Sequence, residues 1–138
     1  MRRLIIGWFL FFFLLAPMMT GAAAFAASLE SITICQGVEG DEGNPVKPTD
    51  KFWTYSASFH AVAKIVDADT STKIAAKWIS VDEDSKVIST AEIGAQRKGF
   101  MNAHFELSKP DKDWSAGKYR IDIYIDGKKS GSASFTVL

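Results

Sequence analysis

The chain has one cysteine, Cys35, and a single thiol closes no internal disulfide. A crosslinked secreted scaffold is excluded, so the fold must rest on its apolar core. No Asn-x-Ser/Thr acceptor occurs, because Asn44 precedes Pro45 and Asn102 precedes Ala103 and His104. These two absences suit a bacterial periplasm better than a eukaryotic secretory route. Charge of one sign is also missing, with 16 Lys and Arg against 16 Asp and Glu. Setting aside Arg2 and Arg3, the remainder is slightly acidic, which argues against nucleic acid or anionic lipid as the main partner. No Gly-x-Ser-x-Gly elbow is present and Cys35 lacks the surroundings of a nucleophile, so hydrolase chemistry finds little support.

What is present begins at the N-terminus. Met1-Arg2-Arg3 is positive, Leu4 to Leu15 is apolar apart from Gly7, and Pro17 breaks the run. Ala22-Ala23-Ala24-Phe25-Ala26-Ala27 then offers small residues of the kind a signal peptidase reads. Charged, apolar and cleavage regions in that order predict a secretory signal over residues 1–26, cut after Ala26 or Ala27. The apolar run falls short of the roughly 20 residues that span a bilayer as a helix. No second run of that length follows, so no membrane span is expected after cleavage. Residues 27–138 are expected to form one domain, close to the commonest domain size of about 100–150 residues.

Period-2 alternation recurs through that domain, and no segment sustains a helical period. Leu29 to Gln36 reads as a first strand, followed by a turn-rich, acidic loop from Gly37 to Pro45. Ser58 to Val66 puts Phe59, Ala61, Ala63 and Ile65 on one side, with His60 and Lys64 on the other. Lys73 to Val81 buries Ile74, Ala76 and Trp78, and Val87 to Ile93 is a weaker strand. Phe100 to Leu107 points Met101, Ala103, Phe105 and Leu107 inward. Tyr119, Ile121, Ile123 and Ile125 form the strongest inward face. Asp126-Gly127 then signals a two-residue hairpin, which wants positive φ at both central positions, and Ser132 to Leu138 closes the series. About seven short strands with turns between them predict an all-β, immunoglobulin-like two-sheet sandwich.

Trp114-Ser115-Ala116-Gly117-Lys118-Tyr119 leads into Arg120-Ile121-Asp122-Ile123-Tyr124-Ile125-Asp126-Gly127. This Trp-x-x-Gly-x-Tyr corner, with its strand ending in Asp-Gly, resembles the penultimate hairpin of small exported bacterial immunoglobulin-like proteins of unassigned function. Phe52, the Ile74-Ala75-Ala76-Lys77-Trp78 strand and Phe105-Glu106-Leu107-Ser108 occur in the matching order. The resemblance covers most of residues 29–138. It implies a fold and an extracytoplasmic setting, and it carries no catalytic residue.

Three features bear on chemistry. Phe52-Trp53-Thr54-Tyr55 places three aromatics in four residues. Alternation cannot bury all three, so Phe52, Trp53 and Tyr55 are candidate binding residues, against a simpler account in which the segment caps the sandwich. His60 and His104 both project away from the core side of their strands. If those strands pair, Glu106 one pleat along makes a third candidate metal ligand; surface histidines are the simpler account. The acidic groups Glu39/Asp41/Glu42, Asp67/Asp69 and Asp82/Glu83/Asp84 lack a calcium-loop pattern and read as solvated turns. Cys35 is expected to lie buried or partly covered on the first strand.

Together these readings predict a periplasmic or secreted, non-enzymatic binding or accessory module needing no cofactor. Its partner would be a protein or a cell-envelope component, met through the Phe52–Tyr55 segment or through the first and last strands as sheet edges. The alternative is a periplasmic metal-binding protein using His60, His104 and Glu106.

Overall fold

The computed structural model of the chain describes residues 26–138, so the expected signal over residues 1–26 lies essentially outside the described residues. Alternation becomes strand at β1 (Ser28–Glu39), β2 (Asn44–Pro48), β3 (Lys51–Phe52), β4 (Ser58–Ala68) and β5 (Lys73–Ser80). After a short 3₁₀ turn (Val81–Glu83) come β6 (Lys86–Gly94), β7 (Gly99–Ser108), β8 (Gly117–Ile125) and β9 (Lys128–Val137). One sheet has the order β2-β1-β4-β7 and the other β3-β9-β8-β5-β6. Every pairing is antiparallel except the short parallel match of Lys51 and Phe52 with Thr136 and Val137. Two stacked sheets of this order form an immunoglobulin-like sandwich.

The inward faces are those expected from alternation. Phe59, Ala61, Ala63 and Ile65 of β4 meet Ile74, Ala76 and Trp78 of β5 and Tyr119, Ile121 and Ile123 of β8 across the core. Phe59 is its hub: ring centroids lie 4.2 Å from Trp114, 4.7 Å from Phe52 and 4.9 Å from Phe135. Such pairs add about 0.5–1.5 kcal/mol each beyond the area they bury.

The Trp-x-x-Gly-x-Tyr corner is built as a unit. Trp114 buries its ring and donates its indole N–H to the Ser56 carbonyl at 2.8 Å. The Tyr119 hydroxyl donates to the Ser115 carbonyl at 2.6 Å. Gly117 sits at φ +143°, and a Cβ there would run into the Asp82 carboxylate, which accepts the Lys118 N–H at 3.0 Å. The Asp126-Gly127 turn has φ of 49° and 83°, as its sequence demands.

Among the described residues nine strands replace the expected seven, because two short ones were hidden in segments read as loop. Gly40 and Gly43, at φ 78° and 68°, turn only the tip between β1 and β2. Gly37 and Val38 remain in β1, and Pro45 belongs to β2, a sheet margin where proline is tolerated. The first and last strands are also less open than expected. β2 covers β1 from Cys35 to Glu39, and β3 pairs with the end of β9. The sheet margins fall on β2, β7, β3 and β6.

Candidate functional site

The segment between β3 and β4 divides its aromatics by side. Phe52, paired with Val137, points inward and is 4% exposed. Trp53 and Tyr55 point outward, 52% and 65% exposed, with rings parallel to within 5° and centroids 6.1 Å apart. Phe52 therefore anchors the segment, while the other two candidate binding residues face solvent.

The turn beneath those rings is pinned from several directions. Ser56 Oγ accepts the Trp53 N–H at 2.9 Å, and the Ser56 N–H donates to the Trp53 carbonyl at 2.9 Å. Thr54 donates to the Leu138 carbonyl at 3.2 Å, and its own carbonyl accepts the Trp114 N–H at 2.8 Å. With the Trp114 indole on Ser56, the turn is tied to both the last strand and the core. Beside it lies a cleft of about 340 Å³ whose polar lining is Gln36, Lys51, Ser56 and Ser58. Nothing in the local sequence marked these four, because Gln36 arrives from β1 and only the tertiary fold brings it alongside.

The histidines occupy the other face of β4. His104 pairs with Val62 and Glu106 with His60, so the three candidate ligands share the outer face of the four-stranded sheet, as the strand pattern required. The two imidazoles are parallel to within 4°, and His60 Nδ1 lies 2.9 Å from His104 Nε2, one ring donating to the other. His60 Nε2 meets Ser58 Oγ at 2.9 Å and the Glu106 carboxylate at 3.8 Å. His104 and Glu106 thus approach opposite edges of the His60 ring. Among the described residues no three His, Cys, Asp or Glu side chains converge as a metal cage would need.

These are not surface histidines. β1 pairs with β4 only as far as Cys35 and with β2 from Cys35 onward. The β1–β2 hairpin crosses over β4, because its tip reaches Asn102 on β7, whose amide donates to the Glu42 carbonyl at 3.1 Å. Arg97 adds an ion pair to Glu42 at 3.7 Å. This roof buries Val62 and Cys35 on what would be an open sheet face, and leaves the His60 side chain only 13% exposed.

Burial shifts the groups beneath the roof. His104 is held below the ordinary imidazole value, first by desolvation, then by the neighbouring His60, with Glu106 opposing. Burial pushes the Cys35 thiol up, against the backbone N–H groups of Gly37 and Val46 that pull it down. A raised, fully covered thiol is an inert one. In the acidic turns Asp69 accepts from the Ser71 N–H at 2.8 Å and its hydroxyl at 2.6 Å, and Glu83 accepts from the Ser80 hydroxyl at 2.8 Å.

No family model and no curated protein matches the chain. Among solved structures it is similar to an immunoglobulin-like protein from Pseudomonas aeruginosa, with a TM-score of 0.53 and 15% identity over 85% of this chain and 100% of that one. It is also similar to part of a β-glucosidase from Listeria innocua, with a TM-score of 0.50 and 12% identity over 84% of this chain and 16% of the enzyme. The likeness is one of fold, an immunoglobulin-like β-sandwich found also in a small bacterial protein.

Proposed function

We propose that this chain is an exported, periplasmic binding or accessory module without catalytic activity, which contacts a protein or another cell-envelope component through the turn bearing Trp53 and Tyr55. The observation that carries this reading is the pair of parallel, more than half-exposed aromatic rings on a hydrogen-bonded turn. Neither ring belongs to the core cluster. They supply contact area with few rotatable bonds. Export is supported by the order of charged, apolar and small residues before Ser28.

Co-sedimentation with a bacterial envelope fraction tests the reading. The wild-type domain is expected in the pellet, and the Trp53→Ala/Tyr55→Ala variant in the supernatant. Equal behaviour of the two proteins overturns it. Mass spectrometry of the exported protein checks the leader, with a mature chain expected to begin at Ala27 or Ser28.

A second reading, metal binding through the His60 and His104 imidazoles without Glu106, which lies at the other edge of the His60 ring, draws on one observation, the 2.9 Å approach of the two rings. Two nitrogens bound to one zinc at about 2.0–2.1 Å each lie only slightly further apart. Calorimetric titration with zinc and copper decides it. Heat that disappears in His60→Ala/His104→Ala supports a site, and no heat removes it.

A further inference from the structure

We propose that the Trp53–Tyr55 turn and the cleft beside it form a saccharide-binding site, an inference that rests on the binding reading above and names its ligand class. A sugar ring presents a face of C–H groups and a rim of hydroxyls, so its site needs a flat aromatic surface with hydrogen-bonding groups close by. The electron-rich face of an aromatic ring attracts polarised C–H groups. Trp53 and Tyr55 provide two such rings, parallel and open to solvent.

The adjoining cleft supplies the rim contacts. Gln36 offers both an amide donor and an acceptor and Lys51 three N–H donors; the Ser56 hydroxyl, which accepts from the Trp53 N–H, keeps its proton to donate, and Ser58 lines the cleft while bonded to His60. Its volume of about 340 Å³ lies at the lower end of small-ligand sites, about 300–1,000 Å³. That is room for a ring or two. A stable protein interface buries about 800 Å² per partner; among the other exposed large apolar side chains described, Leu138 adjoins the turn, whereas Val87 and Phe100 lie away on β6 and β7.

The same lining argues for holding a sugar rather than cutting it. Glycoside hydrolysis normally needs two carboxyl groups flanking the scissile bond, and the cleft is lined by Gln36, Lys51, Ser56, Ser58 and apolar groups, with no Asp or Glu. The pinned backbone adds affinity indirectly, because little of the turn has to be ordered when ligand arrives.

The test uses the purified domain, residues 27–138, with bacterial envelope material stripped by protease as the sedimentation probe. The competitor is the soluble oligosaccharide fraction that mild acid and muramidase release from that material. Binding is expected to survive the protease, to fall at least tenfold with excess oligosaccharide, and to fall by a similar factor in Trp53→Ala and in Tyr55→Ala. Thermal melting confirms that both variants remain folded. Binding that protease abolishes, or that survives protease but ignores the oligosaccharides, overturns the saccharide assignment and leaves a binding turn for protein or lipid. Pelleting that never depends on Trp53 and Tyr55 overturns both.

Discussion

Two neighbouring parts of the β-sandwich are built in opposite ways. At the turn before β4, apolar rings stand in water on a backbone whose hydrogen bonds are internal. Under the β1–β2 hairpin the polar rings of His60 on β4 and His104 on β7 meet, His60 Nδ1 against His104 Nε2 and His60 Nε2 against Ser58. Ser58 belongs to both, lining the aromatic cleft and bonding His60. The contrast separates a surface of exposed aromatic area from a cluster in which both His60 nitrogens and His104 Nε2 already have partners.

The sharpest test of that contrast compares tryptophans. Trp78 is 1% exposed, and Trp78→Ala is expected to cost about 3–5 kcal/mol by denaturant unfolding, as truncating a buried aromatic does. Trp53→Ala is expected to stay within about 0.5 kcal/mol of wild type, as for an exposed side chain. A Trp53 variant as damaged as the Trp78 variant would make the turn a structural cap and end the comparison.

Acid probes the covered cluster. In the folded protein His104 sits below the ordinary value of 6.5. As pH drops through that value the unfolded chain binds a proton that the folded one still refuses, so stability is level above it and declines below it. Urea midpoints measured from pH 7.5 to 5 should fall with acid, and His104→Gln should flatten the decline. A midpoint that rises on acidification would mean the pair welcomes charge.

A smaller effect concerns Cys35. Its fully buried thiol should react with an exposed-thiol reagent far more slowly in the native protein than in urea. Labelling at the unfolded rate would show that the hairpin roof opens freely. The least change is expected from Tyr55→Ala, which should leave the melting temperature unaltered while weakening envelope binding.

Much of the fold was legible because strand facing depends only on local order. Phe59, Ala61, Ala63 and Ile65 alternate without interruption, and so do Tyr119, Ile121, Ile123 and Ile125. Asp126-Gly127 needed no context to announce its turn. The site was half legible. Three aromatics in four residues could not all be buried, but which two remained outside depended on Phe52 pairing with Val137, distant in sequence. The histidines could be placed on one face from alternation, yet their covering could not be foreseen. Gly37 to Pro45 reads as one loop when its glycines are counted, whereas only its tip turns and its flanks pair.

Alternation and turn chemistry, acting within a few residues, determined by themselves that this chain would be a two-sheet sandwich with Trp78 inside. Only the assembled sandwich decided that β2 would fold back across β4, that Cys35 would be buried and the imidazoles partly covered, and that Gln36 would come beside Trp53. Those outcomes depend on contacts between segments far apart in the chain, and such contacts leave no periodic mark on either segment.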